Sequence, residues 1–269
     1  MKPCLDTKHS KQYIISNIRM RWLVLFSLSF LFAFNIAQVR AEQTLNYLDL
    51  TNWTTKGNGT WEVQEGGRTV TQKTNSDPTF FISPNDYSNV IIKGTIEVDT
   101  ANDNDFIGFV MGYENSGGDY NFVLFDWKQE VQDSAQEGFH LALIDGDFSG
   151  GFSRSVFWDH NNSDTKHTEL QDPPTNNDGW MDNTEYQFEI LYTSDRIRIK
   201  INNETIYNVT SGAFNSGKIG FYNYSQDNVI YGNVRVVEVG SNQENPQAAD
   251  DTYGLVTSNG ITLNVGADE

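Results

Sequence analysis

The chain is poor in cysteine, with a single one, Cys4, among 269 residues. Cys4 sits within a leader-like N-terminal segment, so the exported remainder would carry no thiol, no disulfide, no cysteine metal site and no cysteine nucleophile. Positive charge is also scarce: 18 Lys plus Arg stand against 36 Asp plus Glu, a formal net charge of −18. A polyanion would be repelled by such a surface, which sets nucleic acid aside as a partner. No apolar run reaches the roughly 20 residues that a membrane-spanning helix needs; the run from Trp22 to Phe34 is too short. Nor is there a Gly-x-Ser-x-Gly elbow, a His-Glu-x-x-His pair or a phosphate-cradling glycine loop. With no nucleophile beside a matched base, the sequence reads as a non-enzyme. Aromatics are plentiful at 13%, too many for a disordered chain.

The first 41 residues read as a secretory signal: a basic stretch ending at Arg19 and Arg21, the apolar run Trp22 to Phe34, and Val39-Arg40-Ala41 as a cleavage site. The expected product is secreted, extracellular or held at a cell surface, with no membrane span in the mature chain. Removing the leader sharpens the charge. Beyond residue 40 the chain has 12 basic and 35 acidic residues, a net of −23.

From residue 42 to about 240 the apolar residues recur with period two, which predicts an all-β chain. The clearest strand, Arg196 to Ile201, sets three isoleucines on one face and three basic residues on the other, and predicts one buried and one wet face. Asn202-Asn203 then predicts a hairpin turn into Thr205 to Val209. Further strands are predicted at 90–98, 107–113, 120–127, 139–144, 186–192, 218–224 and 229–237, with shorter ones near Trp61, Val70 and Phe80. A dozen strands broken by Gly, Asn, Asp and Ser turns suit a two-sheet antiparallel jelly-roll sandwich. Residues 159–180 are polar and turn-rich, and predict a long irregular loop. A polar linker and tail, residues 241–269, look like the opening of another module, too short to enclose its own core.

An acidic exported chain without cysteine points to calcium, because hard cations take carboxylate and carbonyl oxygens. The densest set of such oxygens is Asp99 to Asp105, between two predicted strands. Asp145 to Gly150 copies the first half of an EF-hand loop, but Val156 stands where its bidentate Glu belongs, so it reads as a turn. His160 and His167 flank Asp164 without a fixed ligand spacing, and read as solvent-exposed loop residues rather than a zinc site. A glycoside hydrolase on this fold would need facing carboxylates. Glu97-Val98-Asp99 begins the pattern Glu-x-Asp-x-x-Glu, but Asn102 replaces its last Glu.

Trp127, Trp158 and Trp180 fall at strand ends or in loops, where a ring could stack on a sugar, although most aromatics of a sandwich belong to its core. Between 107 and 113, Ile107, Phe109, Met111 and Tyr113 are predicted on one face, and Gly108, Val110 and Gly112 on the other. That small face implies close approach by a strand, a loop or a ligand. Six Asn-x-Ser/Thr sequons begin at Asn52, Asn58, Asn161, Asn203, Asn208 and Asn223.

The segment Asp103 to Tyr113, which reads DNDFIGFVMGY, followed by Tyr120 to Gln129, resembles the C-terminal domain of thrombospondins, an L-type-lectin-like sandwich related to concanavalin A. Asp172-Pro173, Gly179-Trp180, the Arg196 to Ile201 strand and Gly217-Lys218-Ile219-Gly220-Phe221 extend the likeness over residues 45–238. The resemblance implies a concanavalin A-like fold, extracellular calcium binding, and adhesion or matrix contact with a protein or glycan partner. It maps calcium ligands onto Asp103 and Asp105, with Asp99 and Asn104 after them. A carbohydrate-binding lectin or a degenerate glycoside hydrolase is the alternative on the same fold. The family's disulfide and its preceding calcium-binding repeats are absent from this sequence. The tail resembles the start of cadherin-like or immunoglobulin-like repeats of bacterial adhesins, through Ala248-Ala249-Asp250-Asp251-Thr252-Tyr253.

Overall fold

The computed structural model describes residues 47–239, apart from 65 and 212–213, and the backbone of 255–256 and 262–263. The leader at 1–41 and most of the 241–269 tail lie outside the described residues. Among the described residues no helix is long and apolar enough to cross a membrane.

The chain runs β1 (Thr54–Lys56), β2 (Trp61–Val63), β3 (Thr69–Gln72), β4 (Thr79–Tyr87), β5 (Val90–Val98), β6 (Phe106–Ser116), β7 (Asp119–Lys128), β8 (Gly138–Asp147), the short helix α1 (Arg154–Phe157), β9 (His167–Glu169), β10 (Glu185–Tyr192), β11 (Arg196–Ile201), β12 (Glu204–Thr210), β13 (Gly217–Tyr224) and β14 (Val229–Glu238). One sheet has the order β1-β4-β13-β6-β7-β8-β9, the other β12-β11-β10-β5-β14-β3-β2. Every pairing within them is antiparallel. In the tail, Leu255–Val256 pairs with Thr262–Leu263.

The predicted long strands form with ends shifted by a residue or so in most cases. Three elements go beyond the sequence pattern: β1, β9 inside the expected irregular stretch, and α1. Hairpin geometry follows the asparagines, for Asn202 and Asn203 take φ of 49° and 68° between β11 and β12.

The space between the sheets is filled by Ile92, Phe109, Phe125, Phe188, Phe221 and Tyr231, with the Phe221 and Tyr231 rings stacked at 4.3 Å. Each such side chain contributes about 1.5–3 kcal/mol by leaving water. The first sheet is also covered on its outer face. Residues 148–166 fold back over it, so that Phe148, Phe152, Val156, Phe157 and Trp158 pack on Phe80, Phe122, Leu124, Ile144 and Tyr222. This is why β7 reads as an almost unbroken apolar run: its alternate residues face two different cores.

Two local expectations change, and a third is narrowed to one of its alternatives. Tyr113 leaves the face of Ile107, Phe109 and Met111, because the register between β6 and β7 shifts after Met111 and Gly112 adopts φ +64°. It joins the outer core beside Phe122 at 5.5 Å. The basic face of β11 is not wet, since Arg198 is 5% and Lys200 8% exposed; Arg198 pairs with Glu189 at 3.0 Å. Of the close approaches expected on the small face of β6, Gly108 meets a strand: a Cβ there would lie 2.0 Å from the Phe125 carbonyl oxygen of β7.

Candidate functional site

Two clusters of polar side chains sit where the β6–β7–β8 part of the first sheet meets its loops. The first is the acidic loop. Asp105, which immediately precedes β6, is buried; its carboxylate accepts from the Lys128 ammonium at 2.6 Å. Its backbone N–H donates to Gln226 Oε1 (2.9 Å), and its carbonyl accepts from the Trp180 indole N–H (3.1 Å). Lys128, at the end of β7, is fully buried and also donates to the Asn104 carbonyl (3.1 Å) and Gln132 Oε1 (3.2 Å). Its ammonium lies 5.0 Å from both the Phe106 and Trp158 ring centroids, a geometry in which the ring faces favour the cation.

Asp103 accepts from Asn75 Nδ2 at 2.5 Å and from the Asn104 backbone N–H at 3.1 Å. Asn75 also donates to the Ser225 carbonyl (2.8 Å). Partial burial, and then the neighbouring charge of Asp105, raise the Asp103 carboxyl to about 6. Asn104 donates from its side chain to Glu130 (3.2 Å). Asp99 is exposed at the end of β5, and its backbone N–H donates to the Asn228 carbonyl (2.9 Å). The structure thus brings Asp103, Asp105 and Asn104 together and leaves the Asp99 carboxylate in solvent. Four loops converge there: β3–β4 with Asn75, β5–β6 with the aspartates, β7–β8 with Glu130, and β13–β14 with Ser225 and Gln226.

This donor set fits a hard cation. Two carboxylates stand close enough to repel, and Asn75, whose Nδ2 donates to Asp103 and to the Ser225 carbonyl and whose Oδ1 accepts from the Ser225 hydroxyl, brings further oxygens to the loop. Lys128 already neutralises one of the two. Sequence reasoning missed that lysine, although its place on the outward face of an apolar strand, in line with Leu124 and Asp126, was a signal.

The second cluster overturns the reading of His160 and His167 as solvent-exposed loop residues. Asp126 on β7 and His140 on β8 are cross-strand partners. His160 comes in from segment 148–166, and its Nε2 lies 3.0 Å from Asp126 Oδ2. The His140 and His160 rings stack at 3.8 Å with 4° between their planes, and His167, at the start of β9, stacks 5.0 Å from His140. Burial, followed by the neighbouring imidazoles, lowers His140 well below its ordinary value; burial chiefly lowers His167 to about 4. Both rings are therefore neutral at pH 7.

Trp127, Trp158 and Trp180 are all buried. Trp127 packs on Phe139 at 4.5 Å, Trp158 on Phe106 at 5.5 Å, and Trp180 donates to the Asp105 carbonyl. They are core residues and offer no stacking platform for a sugar. The partial EF-hand pattern is a strand end with a turn, in which Asp147 caps the Ser149 N–H at 2.7 Å. Asn223, the last sequon, is fully buried and hydrogen-bonded to the Tyr231 hydroxyl.

Among curated proteins, the chain is 29% identical over 191 residues to thrombospondin-3b of Danio rerio, covering 65% of this chain and 20% of that one. It is 28% identical over 192 residues to cartilage oligomeric matrix protein of Rattus norvegicus, covering 65% and 25%. The chain therefore spans a quarter or less of the length of these relatives. Among solved structures, the exoplasmic/lumenal domain of VIP36 in its Ca2+/Man3GlcNAc-bound form superposes with a TM-score of 0.52 at 9% identity, over 74% of this chain and 90% of that one. At that identity the likeness concerns the fold alone, a lectin-like sandwich. Residues 56–238, well over half of the sequence, match the thrombospondin C-terminal region, and the chain belongs to that family.

Proposed function

We propose that this protein is an exported, non-enzymatic β-sandwich that binds calcium at its acidic loop and makes adhesive or matrix contacts with an extracellular or cell-surface protein or glycan. In this reading residues 1–41 are a removable signal, 42–240 the sandwich, and 241–269 a linker with a partial adhesin-like repeat. The relatives' names, thrombospondin and cartilage oligomeric matrix protein, agree with an extracellular role.

The observation that carries the reading is the Asp103–Asp105 pair. Asp103 is held near a second carboxylate and two loops' worth of oxygens, which raises its proton affinity and gives a divalent cation something to displace. A bound calcium ion would supply positive charge between the two carboxylates. Asp103 and Asn104 would present their oxygens from the β5–β6 loop, Asn75 from β3–β4, and Ser225 from β13–β14. Lys128 holds Asp105 in place from beneath and keeps the pair from carrying two uncompensated charges. Asp99, at the loop's exposed start, is the ligand that would have to swing in.

Calorimetric titration of the chelator-stripped full chain with CaCl2 tests this. Binding heat with a raised Tm is expected, and D103N should lose both while keeping its strand signal. No heat and no shift in the unaltered chain would sink the calcium reading. A glycan array with and without calcium separates the partners: glycan binding favours a lectin, protein-only binding favours adhesion.

A further inference from the structure

Two of the three histidines of the described residues, His140 and His160, meet at one buried carboxyl group, Asp126, and the third, His167, stacks 5.0 Å from His140. One donor atom from each of Asp126, His140 and His160 lies within 4.8 Å of the others. Four atoms of this cluster are buried without a hydrogen-bond partner: Asp126 Oδ1, His140 Nδ1, and both ring nitrogens of His167. Buried polar atoms are paired in nearly all folded proteins, and each one left unpaired costs about 1–3 kcal/mol. Four in one place need a common explanation. A single cation that accepts nitrogen and carboxylate lone pairs would satisfy Asp126 Oδ1, His140 Nδ1 and one of the two His167 nitrogens, which point to opposite sides of the ring.

The backbone is bent toward the same end. His160 adopts φ +45°, in the left-handed region, and that is the residue which turns its ring from segment 148–166 onto Asp126. A non-glycine residue held there costs free energy and persists only where surrounding contacts enforce it.

We propose that Asp126, His140 and His160, with His167 as a fourth donor, bind a divalent transition-metal ion of the zinc class, which pins segment 148–166 to the outer face of the first sheet. The donor chemistry selects the metal. Imidazole nitrogens with one carboxylate suit zinc and its neighbours, whereas calcium takes an all-oxygen shell such as the Asp103–Asp105 loop offers. Two of the rings are neutral at pH 7, the state in which a ring nitrogen can ligate. Donors around a tetrahedral zinc sit about 3.3 Å apart, given bond lengths of about 2.0–2.1 Å. Ligation by both His140 and His160 therefore requires their rings to rotate out of the parallel stack, closing separations that now reach at most 4.8 Å.

The test uses the full chain without a polyhistidine tag, stripped with chelator and titrated with ZnCl2, CaCl2 or MgCl2 by calorimetry and thermal unfolding. Zinc should bind with one-to-one stoichiometry and raise Tm by roughly 5–11 °C at a hundredfold excess over its Kd. Cobalt(II) should bind in its place and develop the visible absorption of a low-symmetry, four-coordinate ion. H160Q, whose amide can still bond Asp126, and H140Q should each weaken zinc at least tenfold and leave the calcium response unchanged. D103N should leave the zinc response unchanged. The proposal is overturned if the unaltered chain shows no zinc heat and no Tm shift. It is equally overturned if magnesium reproduces the zinc shift, or if H160Q and D126N both bind zinc as tightly as the unaltered chain.

Discussion

Replacing Lys128 with methionine keeps most of the length and volume of the side chain and removes its ammonium, with the charge and the hydrogen bonds it donates. The ammonium is fully buried, bonds Asp105 at 2.6 Å, and donates to the Asn104 carbonyl and Gln132 at 3.1 and 3.2 Å. Its loss leaves the Asp105 carboxylate in a dry site with the Asp103 carboxyl beside it. Breaking a buried pair on one side costs about 3–5 kcal/mol, because the remaining charge has neither water nor partner. For a domain of this size each kcal/mol moves Tm by about 2–4 °C, so K128M should melt roughly 6–20 °C lower. Replacing both partners removes the stranded charge. The double variant K128M/D105N should therefore recover most of the loss and fall within about 1.5 kcal/mol of the parent. The assay is thermal and urea unfolding in EDTA, followed by tryptophan fluorescence, which reports Trp158 beside Lys128 and Trp180 on the Asp105 carbonyl. A double variant as unstable as K128M would refute the reasoning, since the cost would then lie in lost packing or in the lost bonds to Asn104 and Gln132 and not in the uncompensated carboxylate.

In EDTA the histidine cluster should make the fold acid-sensitive: His140 and His167 have folded values below the unfolded value of about 6.5, so the unfolded chain binds more protons. Their contribution is present above about pH 6.5 and is lost as pH falls toward about 4. Denaturant midpoints measured from about pH 7.5 to 4.5 should decline, and H140Q/H167Q should decline less over that interval; parallel profiles would contradict the assignment. Gly108→Ala places a methyl 2.0 Å from the Phe125 carbonyl oxygen, on backbone that cannot rotate away. Destabilisation at or above the usual overpacking range of about 1–3 kcal/mol is expected by urea unfolding, and a shift below about 0.5 kcal/mol would show that β6 and β7 can separate there.

The long strands were legible because apolar period two, bounded by Asn, Asp and Gly turns, leaves few other folds open. Where a strand has one core face, as over 92–98 in β5 and 185–190 in β10, the burial alternates as predicted. At β7 the pattern blurs, since segment 148–166 gives its outer face a second core, and nothing local in Phe122–Trp127 announces that. The turn of Tyr113 onto the other face depends on a bulge at Gly112, a one-residue event that periodicity overlooks. In the acidic loop, composition pointed to residues 99–105 and the family resemblance to Asp103 and Asp105, but their partners come from afar in sequence: Asn75, Lys128, Trp180, Ser225 and Gln226. The tryptophans show the same limit, for a ring at a strand end is core or surface according to what folds over it.

The sequence by itself determined the all-β sandwich, the place of its long strands to within a few residues, its family and the acidic loop, because alternation, turn residues and charge density are local properties. Tertiary structure alone decided which faces are dry and which polar groups meet. Asp126, His140, His160 and His167 stand up to 41 residues apart in the chain and have no ligand spacing. They become neighbours because β7, β8 and β9 pair in register while residues 148–166 fold back across them. That closure is a long-range balance of apolar burial against chain entropy, which no short window of sequence encodes.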